Sequence, residues 1–222
     1  QRCAVMGTTG NGILPDLTPS THTTLDALQL QNALHDYAKQ GATFASLEAS
    51  SHGLEQGRLN GCAIEISVYS NLSRDHLDYH GTLEAYAEAK ALLFRFSSLK
   101  VAVINLDDEH AALMINAAKQ NPAQPKILTY SLTQNTADYY ITDLSYSLAG
   151  ATFNLVSPQG SFAVQSPLLG HFNVENLVAA LIAAEQAGFD LEPLVSFVPK
   201  LIGAPGRMQV IRDGERLFVV DY

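Results

Sequence analysis

Ile64-Glu65-Ile66-Ser67-Val68-Tyr69-Ser70-Asn71-Leu72-Ser73-Arg74-Asp75-His76-Leu77-Asp78-Tyr79-His80-Gly81-Thr82 is the stretch on which the reading of the whole chain turns. Ile64, Ile66 and Val68 alternate, so they form one face of a strand. Thr82 to Phe96 is built mainly of good helix formers and predicts a helix. The polar loop between them leaves the carboxyl end of a strand and enters a helix, the place where open α/β sheets present ligand-binding groups.

The same alternation recurs on both sides of this stretch. Cys3 to Gly7 reads as a strand. Leu25 to Gln40 reads as a helix, with Thr23 and Asp26 in a capping-box-like spacing, Ala27, Leu30, Leu34 and Tyr37 on one stripe, and Gly41 as its stop. Thr43 to Glu48 and Lys100 to Asn105 read as strands, and Asp108 to Lys119 as a helix. Strands alternating with helices predict an α/β fold with a mostly parallel sheet flanked by helices.

Over 127–168 the texture changes to short runs separated by Gly, Pro, Asn and Ser, which predicts a smaller antiparallel β-subdomain within a single domain spanning 1–222. Helices are expected again over Phe172 to Ala187 and Leu191 to Lys200. A terminal hairpin, Met208 to Ile211 with Leu217 to Asp221, is expected to turn at Asp213-Gly214.

The chain has 222 residues, 47% hydrophobic and 16% charged, with a formal net charge of -9. It is long enough for one substantial core. With only 13 Lys and Arg, it lacks the basic surface that sequence-independent nucleic-acid binding requires, so no nucleic-acid partner is expected. Cys3 and Cys62 read as small core fillers in a reducing compartment. No run approaches the length of a membrane span and no signal peptide opens the chain, so a cytoplasmic location is expected. Gln1 is not an initiator and the chain stops inside a strand-like run, Val219-Val220-Asp221-Tyr222, so a fragment of a longer protein is expected.

A His among Asp residues, as at His76, is commonly just a hydrogen-bonded loop residue. Lys90 gives that reading a competitor. It sits among Ala87, Ala89, Ala91 and Leu92 with Tyr86, Leu93 and Phe94 on its own helical face. Lysines there often snorkel. A desolvated lysine, however, has a lowered pKa and a nucleophilic neutral amine that can capture carbon dioxide as a carbamate. Together with His76 and the strand-end Glu48 this would make an oxygen-rich site with one nitrogen, suited to magnesium or manganese beside phosphates.

Asn71 to Gly81, with Glu48-Ala49-Ser50-Ser51-His52-Gly53-Leu54 before it and Glu84 to Lys90 after it, closely resembles the central domain of the Mur ligases. The resemblance extends to Gly7-Thr8-Thr9-Gly10-Asn11-Gly12, to Leu169 to Asn176, to Gly206-Arg207-Met208 and to Val219 to Tyr222, and so covers nearly the whole chain. It is nearest to the members that add diaminopimelate or lysine to UDP-N-acetylmuramoyl-L-alanyl-D-glutamate. The resemblance implies a P-loop-type central domain and an ATP-dependent amide ligase of peptidoglycan synthesis with ATP and Mg2+. It implies that Lys90 is carbamylated and, with Glu48 and His76, supports the metal. It further implies that Thr23, Thr24, Ser50, Gln56 and Arg58 touch the UDP-muramoyl peptide, and that Asn173, Asn176, Arg207 and Asp221 contact the nucleotide. Helix capping by Thr23 and Thr24, or by Asn173 and Asn176, is the competing structural reading of those residues.

Two departures stand out. His22 precedes the paired threonines where the family usually has Asn. No G-x-x-x-x-G-K-[ST] run occurs in these residues; in the family it lies upstream of the strand matching Cys3 to Gly7, and the domain receiving the incoming amino acid follows the run matching Val219 to Tyr222. The 222 residues alone are therefore expected to be inactive as a ligase. Rival readings are a folylpolyglutamate or cyanophycin synthetase type of ligase, a hydrolase using a carbamylated lysine, and a non-catalytic binding module. The Asp75 to Gly81 run speaks against the first, and the lack of an early His-x-His pair against the second.

Overall fold

The structure, a computed structural model, describes residues 2–214 and 216–221. Gln1 and Tyr222, which entered the reading of the two chain ends, lie outside the described residues. The chain divides into two compact units, Gln1–Ile64 with Arg74–Phe96, and Glu65–Ser73 with Ser97–Tyr222.

The first unit carries a four-stranded sheet of β1 (Arg2–Gly7), β2 (Gly10–Ile13), β3 (Asp16–Thr18) and β4 (Ala42–Leu47), in the order β3-β2-β1-β4. Only β1 and β4 are parallel; β1-β2 and β2-β3 are antiparallel. The sequence reading did not anticipate β2 and β3, because a Gly-rich run lacks the alternating β-branched residues that announce a strand. Gly10 is required there: its φ is +126°, and a Cβ would lie 2.7 Å from the Thr18 carbonyl oxygen.

Helix α1 (Ala27–Lys39) begins two residues later than expected, and its cap is Asp26, whose carboxylate accepts from the backbone N–H groups of Leu28 and Gln29. Thr23 is therefore not the cap. Leu30 of α1 is buried with Met6, Leu54 and Leu59, and Leu34 and Tyr37 pack at the margin, while Ala27 of the expected stripe is exposed. Two short helices went unread: α2 (Ser51–Glu55) and α3 (Leu77–His80). The helix expected over Thr82 to Phe96 is α4 (Leu83–Ala91), capped by the Thr82 hydroxyl on the Ala85 N–H, followed by a 3-10 turn over Leu92–Arg95.

The second unit is built on a six-stranded sheet: β5 (Ile66–Tyr69), β6 (Val101–Asn105), β7 (Lys126–Ser131), β8 (Tyr139–Ser147), β9 (Gly150–Ser157) and β10 (Gly160–Ser166). These strands lie side by side in sequence order. Pairing is parallel from β5 to β8 and antiparallel from β8 to β10. The antiparallel texture expected over 127–168 is thus realised in β8 to β10, while β7 joins the parallel part and one sheet carries both. Every residue of β6 is buried, which is why Val101-Ala102-Val103-Ile104 reads as a continuous apolar run without alternation.

Helices α5 (Ala111–Lys119), α6 (His171–Gln186) and α7 (Leu191–Phe197) complete this unit, and its core joins Val103, Tyr130, Leu155, Val174, Ile182 and Leu191. Helix α5 starts after Asp107 and Asp108 because both carboxylates serve the loops. Asp107 accepts from the Leu132 N–H and the Ser131 and Thr133 hydroxyls. Asp108 accepts from the Tyr69 hydroxyl at 2.6 Å and the Leu72 N–H at 2.8 Å, fixing the backbone just after β5. The terminal hairpin forms as expected, from β11 (Gln209–Asp213) and β12 (Arg216–Val220).

Candidate functional site

The parallel pairing of β1 with β4 sets Met6 opposite Leu47, so both strands end beside each other and deliver Thr8 to Glu48. The Thr8 hydroxyl donates to Glu48 Oε2 at 2.7 Å and Oε1 at 2.9 Å, and the Thr8 N–H donates to Oε1 at 3.2 Å. Gly7 makes room: a Cβ there would stand 2.5 Å from Glu48 Oε1.

Thr24 is buried and works on the backbone, not as a helix cap. Its hydroxyl donates to the Glu48 carbonyl at 2.6 Å and accepts from the Ser50 N–H at 2.9 Å. This ties the end of β4 to the start of α2, where Ser50 is the cap, its hydroxyl accepting from the Gly53 N–H. Just beyond α2, Arg58 donates through Nη1 to the Thr24 carbonyl at 2.8 Å. It also donates through Nε and Nη2 to Gln56 Oε1 at 2.9 and 2.7 Å. Thr24, Ser50, Gln56 and Arg58 therefore form one hydrogen-bonded cluster, with Thr23 half-buried next to it.

Around His76 the side chains are aromatic. His76 has a left-handed backbone, φ 56°, and opens α3; its ring meets His52 edge-on at 5.1 Å and Tyr86 at 5.7 Å. Lys90 Nζ lies 5.2 Å from the centre of that same Tyr86 ring. His76 and Lys90 are thus brought to one aromatic side chain, whereas Glu48 is joined to Thr8 and Thr24.

His80 stacks on Tyr86 at 5.1 Å and 19°. Its side chain is 1% exposed, with Nε2 2.9 Å from the Ser51 hydroxyl and Nδ1 3.6 Å from Glu55. Burial pushes the His80 imidazole below its ordinary value; Glu55 opposes that, while His52, His76 and Lys90 add to it. Burial likewise raises the Tyr86 phenol.

As for a metal, Glu48 and Thr8 offer the hard oxygens that magnesium prefers, and His76 adds one nitrogen, a donor magnesium takes less readily. An unmodified Lys90 ammonium has no lone pair to give. Among the described residues no group of three or more His, Cys, Asp or Glu is placed to hold an ion. The chemistry of the donor set fits the ion when Lys90 contributes as a carbamate.

In the second unit, Asn173 and Asn176 lie in the first two turns of α6, whose cap is Gly170 without a side-chain bond. Asn173 bonds the Leu169 carbonyl at 2.7 Å, and Asn176 is exposed, so neither caps the helix. Asp221 accepts from the Met208 N–H at 3.2 Å across the terminal hairpin, which brings it beside the residue following Arg207. Sequence reasoning assigned no role to Thr8, His52, Tyr79, His80 or Tyr86. The density of His and Tyr in His76 to Tyr86 was the available signal.

The Mur ligase middle domain model matches residues 1–184. The chain is 42% identical, over 100% of its length and 45% of the relative's, to the UDP-N-acetylmuramoyl-L-alanyl-D-glutamate--2,6-diaminopimelate ligase of Pseudomonas syringae. Against the Vibrio cholerae enzyme of the same name it is 42% identical over 100% of the chain and 44% of the relative. A solved structure bearing that name superposes with TM-score 0.94 at 89% identity, over 100% of this chain and 45% of that one. MurF from Acinetobacter baumannii superposes with TM-score 0.68 at 26% identity, over 81% of this chain and 39% of that one. The chain spans about half the length of the relatives it matches.

Proposed function

The chain belongs to the Mur ligase family through its middle domain, and from that premise we propose that its 222 residues together are the central domain of an ATP-dependent amide ligase of peptidoglycan synthesis, acting in the cytoplasm. The substrate is UDP-N-acetylmuramoyl-L-alanyl-D-glutamate and the added residue is diaminopimelate, as in the relatives' names; lysine, the second possibility in the sequence reading, is favoured by none of these names. The observation that carries this reading is the convergence of Thr24, Ser50, Gln56 and Arg58 into one hydrogen-bonded cluster beside Glu48.

In this reading, Thr23, Thr24, Ser50, Gln56 and Arg58 hold the muramoyl peptide and present its D-glutamyl carboxylate. Asn173, Asn176, Arg207 and Asp221 contact ATP. The carboxylate takes the γ-phosphoryl group, ADP leaves, and the incoming amine displaces phosphate from the acyl phosphate to form the amide. Phosphoryl transfer of this kind depends mostly on positioning and charge neutralisation. Glu48, His76 and a carbamylated Lys90 would hold Mg2+, which when bound would supply positive charge to neutralise phosphoryl oxygens. Tyr86 holds both His76 and Lys90 against its ring, which keeps the imidazole and the lysine stem in one place.

Calorimetric titration of the chain with UDP-muramoyl-L-alanyl-D-glutamate tests this. Saturable binding that Arg58→Ala weakens at least about ten-fold is expected, since a hydrogen bond to a charged group contributes roughly 1.5–3 kcal/mol. Wild-type heats indistinguishable from dilution would overturn it.

A further inference from the structure

We propose that Tyr79 is a further peptide-binding residue of this cluster, donating its phenolic proton to a carboxylate oxygen of the anionic peptide that Arg58 receives. The inference rests on the assignment of Gln56 and Arg58 to the peptide. Gln56 has a single carbonyl oxygen, and Arg58 occupies it with two N–H groups at 2.9 and 2.7 Å. That fixes the orientation of the amide, so its NH2 must face away from Arg58. It donates to the Tyr79 hydroxyl oxygen at 3.2 Å.

The phenol is therefore used as an acceptor, and its own proton has no acceptor among the described residues. A hydroxyl that accepts from an amide is polarised toward donation. The ring is held on one side by His52, 4.0 Å away, yet the residue is 45% exposed. Arg58 in turn spends Nε, one Nη1 hydrogen and one Nη2 hydrogen within the protein, which leaves two of a guanidinium's five N–H donors. The array Arg58, Gln56, Tyr79 thus joins a permanent positive charge and unspent N–H donors to an O–H donor held in place from behind. That is the chemistry that receives a carboxylate. The same ring lies against His52, which meets His76 edge-on, so a peptide gripped by Tyr79 is indexed to the His76 imidazole.

The experiment is calorimetric titration of wild type, Tyr79→Phe and Arg58→Ala with two ligands, UDP-muramoyl-L-alanyl-D-glutamate and its analogue amidated at both D-glutamyl carboxyls. Tyr79→Phe keeps the ring on His52, so it should fold, and matching thermal unfolding curves check this. The proposal expects Tyr79→Phe to bind the acid about ten-fold more weakly than wild type and the diamide within about two-fold of it. Equal weakening on both ligands would mean a purely structural role and overturns the proposal, as does unchanged affinity for the acid while Arg58→Ala loses it. Unchanged affinity in Arg58→Ala as well would overturn the assignment of the cluster to the peptide, and the inference with it.

Discussion

Gly7 is the residue where fold and chemistry meet most closely. A methyl group there would stand 2.5 Å from Glu48 Oε1, and the obstructing atom is the end of a flexible side chain. Gly7→Ala should therefore cost little stability, within about 1 kcal/mol, because Glu48 swings away. It should nevertheless abolish Mg2+-dependent nucleotide binding by displacing the carboxylate. Denaturant titration and nucleotide binding measured on the same variant test both halves; a variant that binds normally would remove Glu48 from the site.

Lys90 supports a second expectation at this scale. If its amine carries a carbamate, 13C-bicarbonate should yield a carbamate carbon resonance that Lys90→Arg eliminates. A spectrum that Lys90→Arg leaves unaltered would exclude the modification at that position. Both residues were visible in the sequence, Glu48 as a strand end and Lys90 as a cation among alanines. Tyr86 could be read too, four residues before Lys90 on the same helical face; what could not be read was Thr8 beside Glu48, because it arrives from a distant segment through strand pairing.

At the scale of elements, the junction between β4 and α2 depends on one buried hydroxyl. Thr24→Val keeps the shape but leaves the Ser50 N–H and the Glu48 carbonyl without their partner, at a cost of about 1–3 kcal/mol for an unsatisfied buried group. Urea unfolding should show that loss.

His80 links α2, α3 and α4 through Ser51, Glu55 and Tyr86, and its folded imidazole sits below the ordinary 6.5. The unfolded chain then takes up a proton at higher pH than the folded one. Its contribution is complete above about pH 6.5 and is lost as pH falls through the lowered folded value. The thermal midpoint should accordingly decline on acidification below about pH 6.5, and less steeply in His80→Gln. Parallel slopes for the two would place the titrating group elsewhere.

The longer elements were legible here from length and pattern, α1 from its stripe of Leu30, Leu34 and Tyr37 and β6 from its unbroken apolar run. The short ones, β2, β3, α2 and α3, were not. A three- to five-residue element has no period to detect, and Gly10 or the left-handed His76 acquires meaning only from what surrounds it. Asp26 rather than Thr23 caps α1 because the helix begins at Ala27, which puts the Asp26 carboxylate within reach of the Leu28 and Gln29 N–H groups.

For the whole molecule, alternating strands and helices correctly announced a mixed α/β fold, and the family resemblance is met by the match over residues 1–184. Periodicity could not reveal that the strands other than the terminal hairpin sort into a four-stranded sheet in one compact unit and a six-stranded sheet in the other. Strand order is set by crossover connections and the faces they cover, which a local pattern does not encode. The 222 residues contain no G-x-x-x-x-G-K-[ST] run, the backbone cradle that holds β- and γ-phosphates. These residues alone should therefore form no amide from ATP, peptide and diaminopimelate, which a phosphate-release assay reads directly.

The most direct measurement is a crystal structure of the chain grown with Mg2+, a non-hydrolysable ATP analogue and UDP-muramoyl-L-alanyl-D-glutamate. Peptide density is expected against Thr24, Ser50, Gln56 and Arg58, with density for a carboxylate continuing from Lys90 Nζ. Peptide bound away from that cluster, with an unmodified Lys90, would contradict that expectation.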